Sequence, residues 1–283
     1  MLSRIARAGA VVLCAAGLIA LVAAGSATAK PRARSSVIGG TPASLDQWGF
    51  AVAVLTPKTL CTGTVISPTR VLTAAHCVGS LPSMAVRAQS TSALAGGELL
   101  GVSSVAFAPG FAHGLQSDLA ILTLNTATTA PPIQLASTAE DVAYTHPGAP
   151  LSLAGFGNRN PLIVGKAIFG LLTTANVRAR SCPAPMFLIC DFGHKVGVAF
   201  RRLDKHKVKR RPVRRSVCEG DSGGPLVANT PAGPRLVGIA EATLAPASKR
   251  NPFFFVICGL KGYPSIHTRS DSYRDFILAN LGP

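Results

Sequence analysis

The most informative segment of the chain is Cys218-Glu219-Gly220-Asp221-Ser222-Gly223-Gly224-Pro225-Leu226. It surrounds Ser222 with glycines, which allow a tight turn whose backbone N–H groups can point at one spot. A serine hydroxyl is a poor nucleophile at neutral pH and needs a base beside it. Converging N–H donors would stabilise an oxyanion, an effect worth about 10²–10³ in rate per donor. The segment therefore predicts a nucleophilic serine whose base lies elsewhere in the chain.

Two earlier segments supply a base and a carboxylate: Leu72-Thr73-Ala74-Ala75-His76-Cys77 and Ser117-Asp118-Leu119-Ala120-Ile121. The ordinary pKa of histidine, about 6.5, suits it to accept the proton of a serine. A carboxylate behind the imidazole fixes its tautomer and stabilises the imidazolium. A lone histidine beside a cysteine is usually structural, but three such segments in this order indicate nucleophilic catalysis. We therefore expect His76, Asp118 and Ser222 to act together.

These segments resemble those of the chymotrypsin/trypsin-like serine peptidases. Ala74–Cys77 and Gly220–Pro225 carry the resemblance most specifically, and it extends from Val37 to about Ile277. It implies an all-β fold of two six-stranded antiparallel β-barrels packed together, with the active site between them and a C-terminal helix. Gly155-Phe156-Gly157 resembles the Gly-Trp-Gly sequence of the family's second barrel.

The resemblance also implies a role for each candidate residue. His76 would be the general base, Asp118 would orient it, and Ser222 would be the nucleophile. The amides of Gly220 and Ser222 would form the oxyanion hole. The expected partner is a protein or peptide substrate, and no cofactor and no metal are expected.

The residue pattern independently favours strands. Short apolar runs, several of which contain valine or isoleucine, recur between turn-forming residues, as in Ala51–Leu55 and Leu119–Leu124. The chain near Tyr273 has apolar residues on one helical face. This pattern predicts an all-β protein with a terminal helix, built of barrels or sandwiches. With the two barrels that the resemblance implies, we expect a first barrel over about 50–140, a second over about 141–268, and a helix over about 271–281.

The charge of the chain is concentrated in one segment. The formal net charge is +16, but residues 195–215 hold ten Lys and Arg against Asp204 alone. The rest of the expected peptidase domain, 37–283, is nearly neutral. A uniform nucleic-acid-binding surface is therefore a poor interpretation. We expect a basic loop that is a solvated surface loop, a steering patch for acidic substrates or an anionic surface polymer, or a cleavage site for another protease.

The N-terminus is typical of a secretory signal. Arg4 and Arg7 precede an apolar stretch, and Ala27-Thr28-Ala29 matches a signal peptidase site. We expect a signal peptide over 1–29, a propeptide over 30–36 and a secreted, extracellular product with no membrane association after signal removal. An uncleaved membrane anchor is the alternative. The style of the signal and the alanine-rich composition suggest a bacterial exporter.

Six cysteines remain after the signal is removed, and an even count in an exported chain implies disulfides. Spacing alone cannot choose among their connectivities, and no Cys-x-x-Cys pair supports a zinc ribbon. The resemblance implies the pairs Cys61–Cys77, Cys182–Cys190 and Cys218–Cys258.

Val37-Ile38-Gly39-Gly40 resembles the mature N-terminus of the family. There, a freed α-amino group pairs with the aspartate before the nucleophile, here Asp221. Ser36 precedes the cut in place of the usual Lys or Arg, so either a protease favouring small residues cuts there or trimming follows a cut after Arg34.

Three residues are expected to shape the specificity pocket: Ser216, Thr243 and Ser265. A neutral serine at the pocket base argues against a Lys or Arg preference, and Thr243 in place of glycine would narrow the pocket. We therefore expect cleavage after small or medium apolar residues. Glu241 stands where the family has a serine bonded to the catalytic aspartate, so either two carboxyl groups meet there or the register is shifted by a residue or two.

The sequence thus predicts a secreted serine endopeptidase that works through an acyl-enzyme. The alternative, from a different class, is a catalytically silent trypsin-like fold that binds anionic polymers through the basic loop 195–215.

Overall fold

The computed structural model describes residues 37–111, 117–158, 170–182, 188–204, 207–243, 258–259 and 264–282, without the side chains of 192 and 197–211. The expected signal peptide and propeptide, 1–29 and 30–36, lie outside these ranges and stay predictions. Within the described ranges, no helix is long and apolar enough to cross a membrane.

Six antiparallel strands close the first barrel in the order β2-β3-β4-β7-β6-β5, with β5 pairing back to β2. The strands are β2 Ala51–Leu55, β3 Leu60–Ser67, β4 Arg70–Thr73, β5 Ala85–Ala88, β6 Glu98–Phe107 and β7 Ala120–Leu124. They follow a short strand β1, Thr41–Pro42, and a helix α1, Leu45–Trp48. Branched side chains fill the interior, and Val52, Val65 and Leu72 are fully buried. This burial is what the short valine-rich runs predicted.

The second barrel is closed by the order β9-β10-β15-β14-β13-β8, with β8 pairing to β9. The strands are β8 Pro150–Gly155, β9 Thr173–Arg180, β10 Leu188–Gly193, β13 Pro225–Thr230, β14 Gly233–Thr243 and β15 Ser265–Arg269. Strand β1 adds to the edge at β9. Helix α2, Thr138–Tyr144, joins the barrels and begins with a capping box between Ser137 and Glu140.

The expected fold class, two six-stranded antiparallel barrels with a C-terminal helix, is confirmed. The helix is shorter than the expected 271–281. A 3₁₀ turn, Asp271–Tyr273, precedes helix α3, Arg274–Ala279. The helix ends there because Asn280 leaves helical geometry and Gly282 has a positive φ of 74°. Its fully buried Ile277 packs into the core of the first barrel.

The basic segment was expected to be a loop, and that expectation is wrong. Strands β11, Lys195–Asp204, and β12, Lys207–Arg214, form an antiparallel hairpin. The valines that lie between the lysines and arginines of this segment favour an extended backbone and so suit a two-stranded ladder. The base of the hairpin lies on the N-terminal segment: the Val196 side chain fills the space that a Cβ on Gly39 would take, and Arg215 Nε donates to the Gly39 carbonyl at 3.3 Å.

Three disulfides brace the barrels, and they are the pairs that the resemblance implied: Cys61–Cys77, Cys182–Cys190 and Cys218–Cys258. The first ties β3 to the turn that carries His76. The third ties the turn of Ser222 to the segment that contains Gly259. Two of the three therefore hold the candidate catalytic turns.

Candidate active site

Neighbouring strands bring His76 and Asp118 to the same edge of the first barrel. Strands β4 and β7 pair with Thr73 opposite Ala120, so the end of β4 lies beside the start of β7. His76 follows β4 in a 3₁₀ turn, Ala75–Cys77, and Asp118 directly precedes β7. The antiparallel register alone therefore places the two side chains together.

The contact between them uses both oxygens of the carboxylate. His76 Nδ1 lies 2.6 Å from Asp118 Oδ2, and the His76 backbone N–H donates to Oδ1 at 2.8 Å. The Asp118 side chain is 2% exposed, whereas that of His76 is 47% exposed. The aspartate thus fixes the orientation of the ring, whose other nitrogen is left for a substrate or a nucleophile.

Burial lowers the pKa of His76, but the hydrogen bond to Asp118 and the negative charges of Asp118 and Glu241 outweigh it. The pKa of His76 is therefore raised above its ordinary value near 6.5. A base with such a pKa is matched to proton transfer near neutral pH.

The turn that carries Ser222 belongs to the second barrel but is held by β3 of the first. The Thr62 N–H donates to the Ser222 carbonyl, and Thr62 Oγ1 donates to the Gly220 carbonyl, both at 2.8 Å. The hydroxyl of Ser222 donates to the backbone oxygen of Glu241 at 3.1 Å. Ser222 therefore lies at the junction of the two barrels.

The same turn leaves two backbone N–H groups unused. The N–H groups of Asp221, Gly223 and Gly224 each donate to a carbonyl nearby. In the described part of the chain, those of Gly220 and Ser222 have no acceptor. Gly220 has a positive φ of 92°, and a Cβ on Gly223 would lie 2.0 Å from the Thr62 carbonyl oxygen, so both positions require glycine.

Asp221 is completely buried behind the serine. Its oxygens accept from the N–H groups of Gly157 and Cys218, each at 2.8 Å. A Cβ on Gly155 or Gly157 would lie within 2.6 Å of the carboxyl group, which explains the glycines on either side of Phe156. Burial raises the pKa of Asp221 to about 7, although the two backbone hydrogen bonds lower it. This carboxyl group is therefore poorly compensated unless a cation approaches it.

The N-terminal segment 37–40 runs beside the same region. Val37 is fully buried, and its N–H donates to Thr173 Oγ1 at 2.6 Å. Ile38 donates to the Ser216 carbonyl at 3.1 Å, which links this segment to the expected pocket.

Two hydroxyls lie together at the expected pocket base. Ser216 Oγ lies 3.1 Å from Ser265 Oγ, both side chains are buried, and the Val217 N–H donates to Ser265 at 3.3 Å. Thr243 is half-buried and stands opposite Ser265 in the pairing of β14 with β15. The fold thus brings Ser216, Thr243 and Ser265 together.

A buried pair near this base was missed by the sequence reasoning. His267 Nε2 lies 2.6 Å from Asp191 Oδ2, and both side chains are 0% exposed. Asp191 stands opposite Ser265 in the pairing of β10 with β15. Neither residue lies in a segment that resembles a catalytic motif, so only the strand register reveals their contact.

The sequence left open whether Glu241 itself or a residue near it lies at the catalytic region. Its hydrogen bond with Ser222 places Glu241 beside the candidate triad. Its side chain is buried, and Oε2 accepts from Thr268 Oγ1 at 3.0 Å. Burial raises its pKa to about 8, and the charge of Asp118 adds to that rise while Thr268 and His76 oppose it.

Cys61, His76 and Cys77 form a cluster of potential metal ligands within the described ranges. Cys61 and Cys77 are joined in a disulfide, so neither offers a thiolate. The cluster does not fit a metal site.

The chain is similar to known proteins over most of its length. A family model described as Trypsin matches residues 37–277. The Trypsin of Saccharopolyspora erythraea is 27% identical over 260 residues, which cover 87% of this chain and 98% of the relative. Trypsin 5G1 of Aedes aegypti is 26% identical over 257 residues, which cover 87% and 85%.

The structure of neuropsin, a serine protease expressed in the limbic system of mouse brain, matches with a TM-score of 0.66 at 20% identity. The match covers 87% of this chain and 100% of that chain, and it shows a shared fold. With the family model spanning most of the chain, this protein belongs to the trypsin family of serine endopeptidases.

Proposed function

We propose that the protein hydrolyses peptide bonds through a triad of His76, Asp118 and Ser222. The observation that carries the proposal is the pair of contacts between His76 and Asp118, with Ser222 at the junction of the barrels, where it is bonded to Thr62 of the first and Glu241 of the second. In the free enzyme the serine hydroxyl is bonded to the Glu241 carbonyl, and catalytic hydrogen bonds often tighten only when substrate binds.

The chemistry follows from these positions. Ser222 Oγ attacks the carbonyl carbon of the scissile bond while its proton passes to His76 Nε2. The free N–H groups of Gly220 and Ser222 stabilise the oxyanion. The intermediate collapses to an acyl-enzyme as His76 returns the proton to the leaving amine. Water then attacks the ester carbon while His76 takes its proton; the bond to Ser222 Oγ breaks, His76 returns the proton to that oxygen, and the acid product leaves.

Labelling with a fluorophosphonate probe tests this proposal. The mature protein should gain one probe, and mass spectrometry of its peptides should place that probe on Ser222. Failure of the correctly folded mature chain to label would favour the silent, polymer-binding alternative. We also propose export of the chain, with removal of residues 1–29, which the same spectra would report.

We propose that the pocket accepts small or medium apolar residues before the cut. Support comes from the uncharged Ser216 and Ser265 at the base and from Thr243 where family members with an open pocket have glycine. Asp191 is held by His267, which reduces its availability to a substrate cation.

Replacing Thr243 by glycine should widen the pocket. We expect kcat/KM for substrates with Phe before the cut to rise about tenfold or more, the scale of a change in pocket volume by one or two carbons. Alanine substrates should change little and serve as the control. A peptide library read by mass spectrometry would measure both. A wild-type preference for Lys or Arg would contradict the proposed specificity.

We propose that the basic hairpin, β11 with β12, docks an anionic surface polymer. Ten bases against one acid in 195–215 support this, as does the packing of the hairpin base on Gly39 and Gly193, which would hold the hairpin in place. A cluster of like charges attracts polyanions with a strong dependence on salt.

Binding to a polyglutamate probe should weaken steeply as salt rises from about 0.05 to about 0.5 M, because the screening length falls severalfold. Replacing Lys207 and Lys209 by glutamine should weaken binding at low salt by about tenfold. Replacing Lys58 and Arg178 removes the same charge elsewhere and should have a smaller effect. Salt-independent binding, or equal effects of the two double variants, would contradict a docking role.

A further inference from the structure

Glu241 occupies an irregular position in its strand. In the pairing of β14 with β15, Ala240 stands opposite His267 and Ala242 opposite Ile266, so Glu241 is the extra residue of a β-bulge. Bulges re-aim a side chain and recur beside active sites. Here the bulge presents both the backbone and the side chain of Glu241 to the catalytic region.

Each polar group of Glu241 has a defined environment. Its carbonyl oxygen accepts from Ser222 Oγ at 3.1 Å, and its Oε2 accepts from Thr268 Oγ1 at 3.0 Å. Its Oε1 is buried and has no hydrogen-bond partner within the described part of the chain. The whole residue is 2% exposed. A carboxyl group so buried and so incompletely bonded favours the neutral form.

Two charged groups interact with this carboxyl group: Asp118, from the segment before β7, and His76, from the turn after β4. The residue of β15 that donates to this carboxyl group is the uncharged Thr268, and the preceding His267 is bonded to Asp191 instead. The influence is mutual, because the charge of Glu241 contributes to the raised pKa of His76. His76 and Glu241 therefore compete for protons as a coupled pair.

We propose that Glu241 is a positioning residue that sets the pH at which His76 can act as a base, while its carbonyl holds the Ser222 hydroxyl between turnovers. This inference rests on the proposed triad. With one proton shared, the pair exists as neutral His76 with a neutral Glu241, or as imidazolium with carboxylate. Only neutral His76 can accept the proton of Ser222. The form with imidazolium and carboxylate is inactive, so in the molecules that adopt it activity requires the loss of a second proton, which extends the rise of the pH profile to higher pH.

The test is the pH profile of kcat/KM, from about pH 5 to about pH 10, for the wild type and for Glu241→Gln, which keeps the size and removes the charge. The wild-type profile should rise in two steps. The profile of the variant should rise in one step, and the midpoint of that rise should lie about half a pH unit lower than in the wild type. At a given pH on the acid limb, the variant would then show about threefold more relative activity. Asp275→Asn, which removes an exposed charge from α3, should leave the wild-type profile unchanged.

Superimposable profiles of the wild type and Glu241→Gln would overturn the proposal. If that variant does not fold, NMR titration of the His76 ring in the wild type decides: two coupled steps support the proposal, and one step overturns it. Failure of the triad itself is distinguishable, because the wild type would then not label with the fluorophosphonate, while the NMR titration would still report on Glu241.

Discussion

Replacing Ser222 by alanine should lower kcat by about 10⁶-fold, the scale observed when the nucleophile of a catalytic triad is removed. The turn should survive the change, because Thr62 holds it through the backbone carbonyls of Ser222 and Gly220. Residual hydrolysis would come from substrate binding and the oxyanion donors alone. Single-turnover kinetics on a peptide substrate would measure the loss.

The matched control is Ser272→Ala, which removes an exposed hydroxyl near α3. It should retain wild-type kcat and the fluorophosphonate label. Retention of activity by the Ser222 variant would show that another group is the nucleophile. A loss in both variants would indicate damage to the fold.

Replacing Asp221 by asparagine should be the next most severe change. We expect the freed Val37 amine of the cleaved chain to pair with this buried carboxylate. Breaking a buried ion pair costs about 3–5 kcal/mol. That cost corresponds to a decrease of about 10²–10⁴ in the fraction of molecules whose active site is formed. Active-site titration after cleavage, with the Val37 start verified by mass spectrometry, would measure it.

Glu219→Gln, an exposed change in the same turn, should cost little and serves as the control. Pairing raises the pKa of the α-amino group above its unfolded value of about 8. The pair needs a protonated amine and an ionised Asp221, so its stabilisation is lost as the pH rises through the raised pKa of the amine and is also lost when Asp221 becomes protonated in acid. An Asp221→Asn chain that starts at Val37 and keeps full kcat/KM would contradict this mechanism of activation.

Short catalytic segments carried most of what could be predicted. The candidate nucleophile, base and carboxylate each lie in a compact motif, so residue type and order predicted His76, Asp118 and Ser222 without coordinates. The glycines of the serine turn were interpretable because backbone geometry requires them. The fold class followed from the same resemblance, and the strand-like runs agreed with it.

The hairpin at 195–214 shows where such reasoning failed. Its charge predicted a loop, because charge reports exposure and says little about backbone pairing. Lys195 stands opposite Arg214 because the backbones of β11 and β12 pair along their length, and the charge of the segment does not encode that pairing. The activating cut before Val37 and the signal peptide remain predictions.

The sequence by itself determined the family, the fold class and the candidate triad, because those depend on chemistry confined to a few adjacent residues. Only the tertiary structure decided that Asp191 contacts His267, that the N–H groups of Gly220 and Ser222 have no acceptor among the described residues, and that Glu241 is a buried carboxyl group whose pKa responds to Asp118 and His76. The physical reason is that burial, strand register and electrostatic coupling join residues far apart in the chain. No local pattern encodes the distances between them.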